Sequence, residues 1–401
     1  LRDIRQNGDS ALRSWTKRLD QTDLPQPKIS RPVIQTALEA LDPTLRTALE
    51  EAAERIQKFH QKQPAISWID QSLGGTVGQV LRPIQQIGVY VPGGTAPLPS
   101  SVLMSVIPAR IAGVSRIVVV TPPARQTGKI NPVILAAAAI AGVDEVYAAG
   151  GAQAIGALAY GTETITPVDK IVGPGNLFVT LAKQQVFGRV GIDGLAGPTE
   201  TIVIADEFAN PVWAAADLLA QAEHDILASA ILLTPSRVFA EKVQAEVEAL
   251  LDEKGTIALG RKEIIRQSLA ARGGAVITAD LEEAVALSNE YAPEHVNLAV
   301  QDAWSWLDRI QAAGGVFVGE HSCEVMGDYI AGPSHIMPTG GTARFSSPLN
   351  LWDFLRIISV VNLDPTTAAR LGAQADQIAR AEELTAHALA GFLRTRPTPK
   401  A

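Results

Sequence analysis

From Gln79 onward the chain alternates between short runs rich in β-branched residues and Ala-rich stretches of helical length, and no other feature restricts its fold as much. A first series comprises IGVYV (87–91), RIVVV (116–120), EVYAA (145–149) and KIV (170–172). A second comprises TIVIA (201–205), AILL (230–233), AVIT (275–278), VNLAV (296–300) and GVFV (315–318). Such alternation specifies βαβ units with parallel strands. Two Rossmann-like α/β layers account for it, 81–190 and 191–338. The first eighty residues are charged and helix-periodic, with Pro43 near the start of a run (45–60) whose Ala, Leu and Ile recur at three- and four-residue spacing. They predict a helical N-terminal region, 1–80. After Pro338 the chain turns Gly- and Ser-rich, and 366–394 reads as one long amphipathic helix. The segment 339–401 is therefore expected to be a helical extension that packs on another domain or on a partner subunit.

At 401 residues, 47% of them apolar, the chain has material for two to three domains with their own cores. Its 34 Lys and Arg against 42 Asp and Glu leave a net charge of −8, which provides no global positive field for a phosphate backbone. Nucleic acid is not an expected partner. The longest unbroken apolar stretch, 133–143, is shorter than the roughly 18–20 residues of a bilayer span, and no basic-then-apolar signal opens the chain. A cytoplasmic, non-membrane protein is expected, and the opening Leu1 predicts an upstream initiator region. Cys323 is the sole cysteine, so any metal must be held by His, Asp, Glu or Gln.

Gly- and Pro-rich loops follow several of the strand-like runs: VPGGTAP (91–97), AGGAQ (149–153), VGPGN (172–176) and GLAGPTE (194–200). Such loops let a backbone approach a ligand closely, and the N–H groups of a following helix favour anions. The dinucleotide fingerprint is incomplete here: GPGNLF supplies Gly173 and Gly175 but Phe178 where a third glycine belongs. Ordinary tight turns explain the same loops. Gln221 and His224 lie three apart in a helical pattern and project from one face. With Asp328, in the loop HSCEVMGDYIAGPSH, and His387, in the last helix, they form an N/O donor set suited to Zn²⁺, although a Q-x-x-H pair is more commonly solvated or satisfied in a core. Glu294 and His295 stand between Pro293 and the run VNLAV. A bend after the proline lets both face one cavity as two bases of different strength; the plainer reading is a polar pair leading a strand. His60, between Lys58 and Lys62, reads as a surface residue.

Eight segments in order resemble the histidinol dehydrogenase family: GVYVPGGTAPLPSSVLM (88–104), GGAQAIGALAYGT (150–162), KIVGPGNLFVTLAKQQVFG (170–188), GLAGPTE (194–200), LLAQAEHD (218–225), APEHVNL (292–298), GDYIAGPSHIMPTGGTARFSSPL (327–349) and LTAHALAGFLR (384–394). The resemblance implies oxidation of L-histidinol to L-histidine in two NAD⁺-dependent steps through an enzyme-held aldehyde, by a zinc-containing homodimer with shared active sites. It implies zinc ligands at Gln221, His224, Asp328 and His387, and proton acceptors at Glu294 and His295. Substrate contacts are implied at Thr199, Gln221, His224, His295, Glu324, Asp328, Glu382 and His387. Thr199 takes the place of a family serine, keeping the hydroxyl and adding a methyl. Tyr90, Gln153 and Asn176 fall on NAD-contacting positions, and His335 on a supporting histidine near the site. Five residues of ideal helix rotate about 140°, so Glu382 and His387 require long reach or a local break in the helix.

Three other readings fit parts of the sequence. A zinc-bound water beside Glu294 would suit a hydrolase, which has no need of repeated βα glycine loops. A binding protein that had lost the chemistry would be expected to lack at least one of Glu294, His295 or the four ligands, and all six are present. Related zinc/NAD dehydrogenases of other small polar alcohols, such as sulfonated diols, lack imidazole-recognising residues; Glu324 and Glu382 argue against that reading, while Thr199 keeps it open. Cys323 is expected to be a small filler, not a nucleophile.

Overall fold

The computed structural model describes residues 1–23, 26–93, 97–125, 127–252 and 258–396. They form two compact units, Leu1–Gln63 with Ile84–Phe354, and Pro64–Pro83 with Leu355–Ala401.

The first unit holds two sheets. In the first, the spatial order is Lys28–Ile29, Glu145–Ala148, Arg116–Thr121, Gln86–Tyr90, Lys170–Val172, Gly191–Ile192. All neighbours are parallel except the Lys28–Ile29 edge, which pairs antiparallel. Its parallel strands, numbered along the chain, run 3-2-1-4-5, so the winding reverses between Gln86–Tyr90 and Lys170–Val172. Both faces are covered, as a parallel sheet requires. Ile117 and Val119 join Met104 and Ile134 on one face, while Val118 and Val120 join Ile155 and Leu158 on the other. The second sheet repeats this winding: Gly274–Ile277, Ser229–Thr234, Glu200–Ala205, His295–Ala299, Gly315–Val318, all parallel. Its alternate residues again fill two cores, Val203 and Leu232 on one face, Ile204 and Leu298 on the other. The paired α/β layers and every strand predicted from the two series are present, with bounds shifted by at most a residue or so.

The second unit is a three-stranded antiparallel sheet, ordered Leu355–Asn362, Thr76–Pro83, Trp68–Asp70, with two helices, Pro365–Ala381 and Thr385–Arg394. These helices touch through glycine: a Cβ on Gly372 would lie 2.6 Å from the Gly391 carbonyl.

Several expectations need correction. The first eighty residues do form helices at Arg2–Leu19, Arg31–Glu39 and Pro43–His60, but Trp68–Asp70 and Thr76–Pro83 are strands. They pair, directly or in turn, with Leu355–Asn362, a strand not anticipated within 339–401, and this pairing groups 64–83 with the C-terminal segment. The single helix expected over 366–394 is broken at 382–384, where Glu383 adopts a left-handed φ of 61°. His60 is not a surface residue. Its ring is fully buried, 2.9 Å from Gln63 Oε1 and edge-on to Phe59, at the end of the buried stripe Leu49, Ala52, Ile56.

Candidate active site

The amino ends of two adjacent strands in the second sheet assemble the site. His295 opens the strand His295–Ala299 and lies in register with Thr201 of Glu200–Ala205. Ala292 ends the preceding helix in a left-handed conformation (φ 55°), and Pro293 turns the chain into the strand. The bend brings Glu294 and His295 to one place despite their adjacency: Glu294 Oε2 is 3.8 Å from His295 Nδ1. Both are buried, at 8% and 3% exposure. The short helix Glu324–Tyr329 supplies two more carboxylates one turn apart. Glu324 Oε2 lies 4.0 Å from His295 Nδ1, and Asp328 Oδ1 lies 3.5 Å from His295 Nε2.

The hydrogen bonds are directional. The Gln221 amide donates to Thr199 Oγ1 (2.8 Å), whose hydroxyl donates to Glu294 Oε2, and the Glu200 N–H donates to the same oxygen (3.2 Å). Thr201 Oγ1 donates to Glu324 Oε2. His295 Nδ1 faces the Glu200 carbonyl at 3.2 Å; a neutral ring donates there and leaves Nε2 basic. Gln221 Oε1 and His295 Nε2 are among the buried side-chain atoms without a hydrogen-bond partner, as are Glu200 Oε2 and Asn297 Oδ1 nearby. His335 Nδ1 donates to the Asp328 carbonyl (2.7 Å) and its Nε2 accepts from Ser101 Oγ (3.1 Å). Burial lowers the His335 pKa, which suits that neutral tautomer and makes the residue a pin for the Asp328 backbone.

Burial dominates the electrostatics. It pushes Glu294 up to about 7 and Glu324 up to about 7, against the opposing pull of His295. For His295 itself burial acts downward, but the carboxylates of Glu294, Glu324 and Asp328 outweigh it and raise the imidazole to about 10. Asp328 is lowered: burial opposes this, and His295, His335 and His224 prevail. His224 follows the helix Pro211–Ala222 that carries Gln221 and is exposed at the rim of the site; surrounding protein lowers its pKa, with Asp328 opposing.

Gln221, His224, Thr199, Glu294, His295, Glu324 and Asp328, all candidates from the sequence, share one neighbourhood of the first unit. Glu382 and His387 belong to the second unit and are exposed there. Glu382 caps the helix Pro365–Ala381 at the break, so the two do not lie on one continuous helix. Tyr90, Gln153 and Asn176 gather at the carboxyl ends of the first sheet. Tyr90 ends the central strand and its hydroxyl accepts the Gly151 N–H (3.2 Å); burial pushes that phenol up to about 12. Gln153 is buried, donating to Asp20 Oδ2 (3.2 Å), with Oε1 unpartnered. Asn176 caps the helix Leu177–Val186. Residues 94–96 of the VPGGTAP loop lie outside the described residues. Cys323 is half-buried and precedes the Glu324–Tyr329 helix.

Three participants escaped the sequence reading. Thr201 reaches Glu324 across 123 positions of sequence. Phe317 lays its ring 5.8 Å from the His295 imidazole. Asp217, one turn before Gln221, accepts a hydrogen bond from Asn297 (2.7 Å) and is raised by burial to about 6. Asn297 stands two residues after His295 on the same strand face, a period-two signal that points to it. Among the described residues no three His, Cys, Asp or Glu side chains converge as a metal site. Of the four residues expected to hold a metal, the Gln221 amide, the His224 imidazole and the Asp328 carboxylate lie in the first unit.

Twin doubly wound sheets, glycine turns at the carboxyl ends of one and a buried carboxylate–imidazole pair beside the other describe an α/β enzyme of the dehydrogenase type. The family model described as histidinol dehydrogenase matches residues 1–395. Histidinol dehydrogenases of Thermus thermophilus and Moorella thermoacetica are 50% and 49% identical to the chain, each over 98% of it and 92% of their own length. The crystal structure of histidinol dehydrogenase from Elizabethkingia anophelis superposes with a TM-score of 0.93 at 42% identity, over 98% of this chain and 90% of that one. The chain belongs to the histidinol dehydrogenase family and is an oxidoreductase.

Proposed function

We propose that the chain converts L-histidinol to L-histidine by two successive two-electron oxidations, each reducing one NAD⁺, with the intermediate aldehyde held on the enzyme. The observation that carries this reading is the Glu294–His295 pair, two buried bases of different character aimed at one place beside an unpartnered amide oxygen. The primary alcohol loses a proton and a hydride to give the aldehyde; water then adds, and the gem-diol loses a second proton and hydride to give the carboxylic acid, which ionises to the carboxylate with release of a third proton. Raised to about 10, His295 becomes a free base as pH climbs toward that value; its neutral ring holds the Nδ1 proton on the Glu200 carbonyl, so Nε2 takes the hydroxyl proton in both oxidations. Glu294, brought close to neutrality by burial, takes the proton of the attacking water. Thr199 spans Gln221 and Glu294, so the carboxylate is aimed by the same residue that orients the amide.

The donor set fits zinc: Gln221 Oε1 is a buried oxygen lacking a partner, and His224 and Asp328 interact electrostatically beside it. Gln221, His224, Asp328 and His387 would hold the ion, which supplies a fixed positive centre for the substrate's imidazole and amine. Because His387 lies on the second unit, we propose that it is lent by a partner subunit, each site of the homodimer being built from two chains. NAD⁺ fits the first sheet, where the winding reverses beside Tyr90 and where Gln153 Oε1 is buried without a partner; bound there with Tyr90, Gln153 and Asn176, it supplies the hydride acceptor. Formation of NADH, followed by absorbance with L-histidinol and with a sulfonated diol, tests the reading: turnover of the first substrate alone is expected, and turnover of the diol alone would replace it.

A further inference from the structure

We propose that the buried ion pair Lys183–Asp193 is the positioning device of the cofactor loop 173–176, fixing the backbone on which Asn176 stands; the proposal rests on the reading that NAD binds at Tyr90, Gln153 and Asn176. Lys183 lies on the helix Leu177–Val186, and Asp193 follows the edge strand Gly191–Ile192. Their side chains are 3% and 7% exposed. The Lys183 ammonium donates to Asp193 Oδ1 and to the Gly173 carbonyl (3.0 Å), while Asp193 Oδ2 accepts the Gly173 N–H (2.7 Å). Asp193 Oδ1 also accepts the Gly194 N–H at 2.8 Å. One charge of the pair thus holds each backbone polar group of Gly173.

Gly173 is where the chain leaves the strand Lys170–Val172, at the reversal point of the sheet. Its φ is 109°, and a Cβ there would collide with the Tyr90 carbonyl, so the loop is pressed against the end of the central strand. Three residues later Asn176 is fixed by its own cap, accepting from Phe178 N (3.1 Å) and Val179 N (3.2 Å). The loop is therefore held at both ends, by the pair at Gly173 and by the cap at Asn176. Burying an ion pair is an expensive way to gain stability, because well-packed apolar side chains of similar volume commonly serve as well or better. What apolar side chains cannot do is hold the N–H and the carbonyl of one glycine in a single orientation. At Gly173 that orientation sets the course of the loop from the end of the Tyr90 strand to the Asn176 cap.

The test is direct titration of NADH into the zinc-loaded protein by fluorescence, without substrate, alongside histidinol binding and the melting temperature. Lys183→Met/Asp193→Leu removes both charges and avoids stranding either one. It is expected to stay folded, to bind histidinol within about twofold of wild type, and to bind NADH about tenfold more weakly, the equivalent of one lost polar anchor. Lys183→Gln, which keeps a donor for Gly173, is expected to fall between the two and serves if the double variant does not fold. Wild-type NADH affinity in the folded variants would overturn the proposal and leave the pair a purely structural feature. Asn176→Ala, measured in parallel, separates the two claims. Unchanged NADH affinity there would overturn the placement of the cofactor and the proposal with it. Weakened affinity there, with the Lys183 variants unaffected, would overturn the positioning role alone.

Discussion

Replacing Glu294 by Gln changes one charge in a buried cluster and is expected to separate the two oxidations. Gln retains an oxygen for the Thr199 and Glu200 donors, so the geometry is preserved while the base is lost. Loss of a positioned general base commonly costs 10²–10⁴-fold, or about 3–5 kcal/mol of barrier, and we expect that loss in the hydration and oxidation of the aldehyde. Alcohol oxidation uses His295 and feels the substitution differently. At 3.8 Å and an effective dielectric constant of about 20, the Glu294 charge is worth about 4 kcal/mol to the imidazolium, or about 3 pKa units. Removing a negative neighbour lowers the imidazole pKa, so His295 becomes a free base at lower pH, and the limb of the pH profile that reports it moves toward acid by up to that amount. Stopped-flow traces at the NADH band with L-histidinol should therefore show a burst of one NADH per site followed by slow turnover. Supplying the aldehyde directly should show no fast phase. An equal fall in both half-reactions, or a pH limb that stays in place, would refute this division of labour.

Dialysis against a strong chelator should abolish turnover and Zn²⁺ should restore it, with His224→Asn weakening retention of the metal as measured by bound-zinc content; full activity in metal-free protein would remove zinc from the account. Mixing Glu294→Gln and His387→Ala proteins, each deficient in steady-state formation of L-histidine, should restore up to about a quarter of the wild-type rate of that formation, because random exchange makes half the dimers hybrid with one intact site each; no recovery after exchange verified by mass spectrometry would mean that His387 serves its own chain. Glu145 is held at about 2, burial pushing upward while Lys28, Tyr147 and Arg116 outweigh it. A depressed carboxylate stabilises above its unfolded pKa of about 4.5, so Glu145→Gln should cost up to about 3 kcal/mol at pH 7 by denaturant unfolding, and the difference from wild type should fade as pH drops toward 2.

The buried strands were legible because parallel strands covered on both faces read as continuous apolar runs, as in RIVVV and TIVIA. Leu355–Asn362 was not: Ile357 and Ile358 are 54% and 46% exposed, so its apolar residues mark no inner face and its pairing with Thr76–Pro83 follows only from three-dimensional structure. His60 misled through its lysine neighbours, although its spacing from Leu49, Ala52 and Ile56 completes a buried helical stripe. Within the site, Glu294 and His295 could be read from adjacency after a proline. The contact of Thr201 with Glu324 could not, because it depends on which strands neighbour each other in the sheet. The sequence also placed Glu382 and His387 on one helix; a left-handed residue at 383 divides it, and Glu carries no local signal for that conformation.

We expect one site to carry the four-electron oxidation to completion. This is tested most directly by incubating the zinc-loaded protein with limiting L-histidinol and excess NAD⁺, then quantifying NADH by absorbance and L-histidine and free aldehyde by chromatography. Two NADH per L-histidine, with no aldehyde released, is the predicted result. One NADH per histidinol consumed, with the aldehyde accumulating in solution, would contradict it.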